Sequence, residues 1–217
     1  MQNRQIRNII WDWNGTLLND MDICIECMNT LLENRLLPRL SHTYYREVFT
    51  FPVKEYFLKI GFDFSKESFE IPAGEFVDLY NIKYREAGLF DEVHSVLSLL
   101  RNKGYIQYIL SAQEKTLLGR LIGHYGLEEY FEAVTGIGDN YAHSKVDAGK
   151  QMMEDHKLEP KESIMIGDTL HDYEVATSMG IPCLLLSHGH QSTLRLRSTG
   201  APVMDNYEEI VSFTESP

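Results

Sequence analysis

Short apolar runs recur along the chain and alternate with longer stretches of helical periodicity. "RNIIW" (7–11), "YIQYIL" (105–110), "AVTGI" (133–137), "SIMIG" (163–167) and "PCLLLS" (182–187) read as buried strands. Between them, "DEVHSVLSLLRNKG" (91–104), "KTLLGRLIGHYGLEEY" (115–130), "KVDAGKQMMEDHKL" (145–158) and "HDYEVATSMG" (171–180) carry helical patterns. Strands alternating with helices of this length predict βαβ units and a parallel α/β sheet. Gly104 and Gly180 fall where a helix ends on a left-handed residue. A short strand "APVM" (201–204) and a helix "YEEIVSFTE" close the pattern.

The stretch from Asn19 to Glu86 breaks the alternation. "MDICIECMNTLLENRLL", "SHTYYREVFT", "PVKEYFLKIG" and "SFEIPAGEFVDLYNIKYREAG" predict several helices and no comparable strand, with Tyr44, Tyr45, Phe49, Phe51, Tyr56 and Phe57 clustered among them. Inserted directly after the first strand, this segment is expected to form a helical subdomain over that strand's end.

Composition narrows the function. At 217 residues the chain can bury one sizeable core and an accessory unit. A net charge of -12 argues against a nucleic-acid surface, and an anionic substrate therefore needs a local cation or a ring of backbone amides. No apolar run approaches 18 residues, which predicts no membrane partner, and the N-terminal "MQNRQIRNIIW" lacks a signal-peptide core, which predicts a cytoplasmic protein. Cys24, Cys27 and Cys183 are too few for a disulfide framework. "CIEC" sits inside an apolar helical pattern with no second pair, so it reads as small residues on a helix face.

In a parallel sheet, ligands bind beyond the carboxyl ends of the strands. "RNIIW" leads into Asp12, "YIQYIL" into Ser111 and "SIMIG" into Asp168, with Asp172 four residues on and Lys145 opening the preceding helix. Singly, each reads as a helix cap, a turn former or a surface lysine. Gathered at one edge, three carboxylates need a divalent cation among them, and the lysine and hydroxyl can hold an anion's oxygens. That set describes phosphoryl chemistry.

"IIWDWNGTL", the serine of "YIQYILS", Lys145 and "IMIGDTLHD" resemble, in this order, the four motifs of the haloacid dehalogenase-like hydrolase superfamily. The likeness is nearest to the branch with a helical cap between the first two motifs, which includes phosphoglycolate phosphatase-like enzymes and β-phosphoglucomutase. It implies a doubly wound, Rossmann-like α/β core from 1–18 and 87–217 with an α-helical cap domain from 19–86. It further implies a phosphatase acting on a small phosphorylated metabolite through an aspartyl-phosphate on Asp12. Magnesium would be held by Asp12, the Asn14 carbonyl and Asp168, with Asp172 in support. Thr16, Ser111 and the amides of Ala112 and Gln113 would bind phosphate, and Lys145, with Lys150 as its rival, would bridge Asp12 and phosphate. "FTFPVKEYF" resembles a cap segment of this branch, so Lys54 would point a charge at the leaving group, with Arg46 a lesser candidate. His188 and His190 have metal-like spacing in "SHGHQS" but lie where the family has a structural loop.

Asn14 departs from the pattern. Most phosphatases of the family carry a second aspartate there, which protonates the leaving oxygen and then activates water. An amide does neither, and general acid–base catalysis contributes roughly 10² to 10⁴ in rate. His171, Asp20 and Asp22 are the candidate substitutes. The alternatives are phosphoryl transfer or C–P cleavage on the same scaffold, the latter pointing to Lys54, or a non-catalytic phosphate-binding protein.

Overall fold

The computed structural model describes residues 6–138 and 145–215. Six parallel strands, β1 (Asn8–Trp11), β4 (Ile106–Glu114), β5 (Ala133–Ile137), β6 (Ser163–Gly167), β7 (Cys183–Leu186) and β8 (Val203–Met204), lie in the order β5-β4-β1-β6-β7-β8. Strand β1 is central, with Ile10 in register with Tyr108 of β4 and Met165 of β6. The chain builds outward from β1 to β5, then returns to β6 on β1's other side, so strand order reverses beside β1. That reversal opens the crevice in which doubly wound sheets bind ligands.

The strands are apolar on both faces because helices cover both. Ile10, Leu110, Met165 and Leu185 pack with α7 (Lys145–Asp155) and α8 (Leu170–Met179). Ile9, Trp11, Ile109, Ile164 and Leu184 point the other way, toward α5 (Val93–Asn102), α6 (Lys115–His124) and α10 (Tyr207–Thr214). Gly104, Gly126 and Gly180, at φ of 89°, 64° and 74°, turn the chain after α5, α6 and α8. The stop at Gly126 makes α6 shorter than its periodicity suggests, and Glu128–Tyr130 forms a separate 3-10 turn.

Two features lie outside the sequence pattern. Strand β4 continues past Leu110 to Glu114 through a register shift against β5, so Ser111 sits within an irregular strand end. A two-residue ribbon, β2 (Leu18–Asn19) with β3 (Gly88–Leu89), runs antiparallel and places side by side the two passages between sheet and helical insert. Strands of this length leave no periodic signal.

The insert comprises α1 (Met21–Asn34), α2 (His42–Val48), α3 (Val53–Lys59) and α4 (Glu70–Lys83). Met28, Leu31, Leu32, Tyr45, Tyr56 and Phe57 are buried together at its centre. Buried Asn29 holds both backbone groups of Leu40, and Ser41 caps α2 by accepting the Tyr44 amide. The insert is fastened to the segment after β7: Gln191 Nε2 and Arg195 Nη1 donate to the Phe49 carbonyl at 2.9 and 2.6 Å, and Arg46 donates to the Ser187 and Gln191 carbonyls. The last short helix, α9, spans Thr193–Arg197. Among the described residues no helix is long and apolar enough to cross a membrane.

Leu32 is fully buried in the insert's own core. Leu32→Ala is expected to cost about 2–5 kcal/mol in chemical denaturation, the usual penalty for an unfilled leucine site.

Candidate active site

Asp12 follows β1 directly, its amide donating to Ile166 O at 2.8 Å so that β6 fixes its backbone. Lys145, the first residue of α7, donates to Asp12 Oδ1 and, at 2.6 Å, to Asp172 Oδ1. All three side chains are buried. Asp172 works with both oxygens: Oδ2 accepts the amides of Asp168 and Thr169 at 3.2 and 3.0 Å and the Thr169 hydroxyl at 2.7 Å, closing a capping box on α8. Asp168 accepts Thr16 Oγ1 at 3.1 Å on one oxygen and the His190 amide at 2.6 Å on the other. Two glycines allow that crowding. A Cβ on Gly15, whose φ is 75°, would lie 2.4 Å from Asp168 Oδ2, and one on Gly189 would lie 2.2 Å from it.

The electrostatics call for more positive charge than Lys145 supplies. Burial, reinforced by the Asp172 carboxylate, pushes Asp12 up to about 8. Burial likewise pushes Asp168 up to about 6. Burial also disfavours the charged form of Asp172, but Lys145 and Thr169 overcome it and hold that acid below the usual range. The ligand oxygens of Asp12, Asp168 and Asp172 lie within 4.8 Å of one another, a hard, all-oxygen donor set suited to a divalent cation such as magnesium.

A second network adjoins the first. Asn14 Nδ2 donates to Asp20 Oδ2 at 2.8 Å and to Tyr80 Oη at 2.9 Å, while Tyr80 donates to the same Asp20 oxygen at 2.8 Å. Asp20 Oδ1 accepts the Gly15 amide at 3.1 Å and faces His190 Nε2 at 3.1 Å. His190 Nδ1 meets the Tyr45 hydroxyl at 2.9 Å. Burial opposes the charge on His190, yet Asp20 and Asp168 push it up to about 9. Burial opposes Asp20 as well, and His190 still holds it low. The two form a buried ion pair.

Both networks open on one cavity of about 240 Å³ between the strand ends and the insert. Asp12, Ser111, Ala112, Gln113, Lys145, Asp168 and Asp172 line its floor. Aromatic side chains of the insert form its roof.

Similarity to known proteins decides the family. The sequence profile described as haloacid dehalogenase-like hydrolase matches residues 9–186. A 5′-nucleotidase of Pseudomonas aeruginosa is 25% identical over 203 residues, covering 88% of this chain and 87% of that protein. A phosphoglycolate phosphatase of Vibrio vulnificus is 25% identical over 120 residues, 52% of each chain. The solved structure of a hydrolase, a haloacid dehalogenase-like family protein from Streptococcus pneumoniae, superposes with a TM-score of 0.83 at 22% identity, covering 97% of this chain and 99% of that one. The chain belongs to the haloacid dehalogenase-like hydrolases.

Within this hydrolase, the strand-end residues Asp12, Ser111, Asp168, Asp172 and Lys145 converge as the sequence implies, and Lys145 rather than exposed Lys150 reaches Asp12. Other expectations are corrected. Thr16 does not line the cavity; its hydroxyl is committed to Asp168. Lys54 is exposed outside the cavity, over the rings of Phe64 and Phe69 at 5.6 and 5.8 Å, because α3 turns it outward. Arg46 is turned to the segment after β7 by the carbonyls it binds. Of the candidate proton carriers, Asp22 is exposed beside His42, whereas Asp20 lines the cavity, as does His171, which meets Glu174 and stacks under Phe51. His188 packs between Phe90 and Tyr207, whereas His190, read from sequence as loop structure, lines the cavity. Tyr45 gave no signal beyond its place in the aromatic cluster, and Tyr80 none beyond membership in a helix.

Two outcomes follow from this geometry. Gly189→Ala forces Asp168 aside and is expected to weaken divalent-cation binding at least about tenfold by calorimetry, the cost typical of disturbing a ligand's surroundings, with circular dichroism unchanged. In metal-free protein, His190 contributes stability that is complete below its unfolded value of about 6.5 and is lost as pH rises through about 9. Melting temperature is therefore expected to fall across that window in the wild type, and to fall less in His190→Asn.

Proposed function

We propose that the chain is a magnesium-dependent phosphatase that cleaves a small phosphorylated substrate through an aspartyl-phosphate on Asp12. The observation that carries this reading is the buried bridge from Lys145 to Asp12 and Asp172, with Asp168 beside it and Ser111 across the same cavity. A lone strand-end carboxylate has no such partners.

Asp12 attacks phosphorus with one carboxylate oxygen, and Lys145, paired to the other, aims the group and favours the ionised form that burial opposes. The Ser111 hydroxyl, which accepts the Gln113 amide at 3.0 Å, has its proton free to donate to a phosphoryl oxygen. Asp12, Asp168 and the Asn14 carbonyl would hold magnesium, with Asp172 in support. The ion would supply charge neutralisation at the phosphoryl oxygens. Residues 19–86 act as a cap over a core of 1–18 and 87–217, with the β2–β3 ribbon at the joint. The cap keeps bulk water from the aspartyl-phosphate. Similarity to a 5′-nucleotidase and a phosphoglycolate phosphatase supports phosphomonoester chemistry.

Asn14 binds and orients but transfers no proton. The chain therefore runs this chemistry without the acid most relatives have at that position.

Purified protein with magnesium is expected to hydrolyse members of a phosphoester panel, and Asp12→Asn to abolish that activity. Full activity in Asp12→Asn would overturn the reading. Asn14→Asp sets a second carboxylate against Asp20, so that one of the two holds a proton. That variant is expected to raise kcat on alkyl phosphates by about 10².

A further inference from the structure

The cavity's roof differs in character from its floor. Of the cavity-lining residues contributed by the insert, none is cationic and only Asp20, an acid paired with His190, is charged; Phe49, Phe51, Val53, Phe76, Val77 and Tyr80 form much of the surface. The cations the insert carries nearby, Lys54 and Arg46, are held elsewhere, over two phenyl rings and on two carbonyls. A substrate with a second anionic group, such as a carboxylate, would find no cation on this roof and would face the acids of the floor.

The rings are set to receive another ring. Phe49 and Phe51 meet edge to face at 5.5 Å, Phe51 stacks over His171 at 4.7 Å, and Phe76 stacks with Tyr80 at 6.1 Å. The Tyr56 hydroxyl, buried in the same wall, has no hydrogen-bond partner among the described residues.

Asn14 adds an independent constraint. Its amide group donates to Asp20 and to Tyr80 and is not acidic, so it hands no proton to a departing oxygen. A group that leaves well must leave as a stable anion. Phenols ionise near pH ~10, whereas an alkanol is about as weak an acid as water, roughly 16. An aromatic roof and a missing acid thus select the same chemistry.

We propose, resting on the phosphatase reading above, that the substrate is a small aryl phosphate monoester with an uncharged ring, which lies among Phe49, Phe51 and Phe76. In the first step the Asp12–phosphorus bond forms and the phosphorus–aryl oxygen bond breaks. The electron pair leaves on the phenolate, which takes a proton from solvent. Water then adds to phosphorus, the Asp12–phosphorus bond breaks, and inorganic phosphate departs with the water's oxygen, its protons shared between phosphate and solvent.

The test separates this inference from the reading it rests on. Calorimetry on Asp12→Asn with magnesium compares phenyl phosphate with phosphoglycolate, without turnover. Phenyl phosphate is expected to bind at least tenfold more tightly, and Phe76→Ala in that background to weaken phenyl phosphate while leaving inorganic phosphate unchanged. Val77→Arg, at an exposed position on the roof, is expected to shift the preference toward phosphoglycolate. In the active wild type, kcat/KM is expected to rise steeply with the acidity of the leaving phenol, and Asn14→Asp to flatten that slope. A phosphotyrosyl peptide shares the ester but not the size, and is expected to be cleaved at least tenfold less efficiently than phenyl phosphate. Equal or tighter binding of phosphoglycolate, or a flat dependence on the phenol, overturns the aryl assignment; comparable turnover of the peptide overturns the small-molecule part. Binding in the expected order by a protein that hydrolyses no ester would leave the aryl site standing and refute the phosphatase.

Discussion

The buried contact of Lys145 with Asp12 and Asp172 is the interaction on which the rest of the site depends. Taking three carboxylates out of water at one place is unfavourable unless positive charge goes with them. One lysine offsets part of that cost, and the raised values of Asp12 and Asp168 mark what it leaves uncompensated. The fold concentrates the acids there deliberately: β1 and β6 are hydrogen-bonded neighbours, so the residues that follow them must lie together. Asp172 joins them because its other oxygen caps the helix that leaves β6. Structure and chemistry share that one side chain.

Beside this cluster stands a second, chemically different one. Asp20 gathers Asn14, Gly15, Tyr80 and His190 onto a single buried carboxylate, joining the turn after β1, helix α4 of the insert and the loop after β7. Tyr45 of α2 completes it through His190. Insert and core are thus tied through polar contacts that converge on the position where an acid is absent. Asn14 is held there as a neutral donor, which suits a neighbour whose charge is already matched by His190.

The sequence revealed what position along a strand dictates. Asp12, Ser111 and Asp168 were legible because apolar runs ended at them, and β-sheet topology collects such ends whatever the details of packing; Lys145 was legible as the residue opening the helix before β6. The order of strands, helices and insert was legible for the same reason, since each has its own period. What escaped depends on side-chain direction or on contacts far apart in the chain. Lys54 lies in the right segment, but α3 presents it to solvent and two rings. Thr16 stands in the first motif, yet its hydroxyl faces Asp168 rather than the cavity. His190 and Asp20 are 170 residues apart, and no local pattern joins them. The β2–β3 ribbon is too short to leave a period.

The central claim is that Asp12 forms a covalent bond to phosphorus. Rapid acid quench of the magnesium-loaded wild type during turnover of an aryl phosphate, followed by proteolysis and mass spectrometry, tests it most directly. The account predicts one added phosphoryl group on the peptide containing Asp12, labile to hydroxylamine as an acyl phosphate is. Phosphate on another residue, or substrate turnover with no phosphorylated peptide at any quench time, would contradict it.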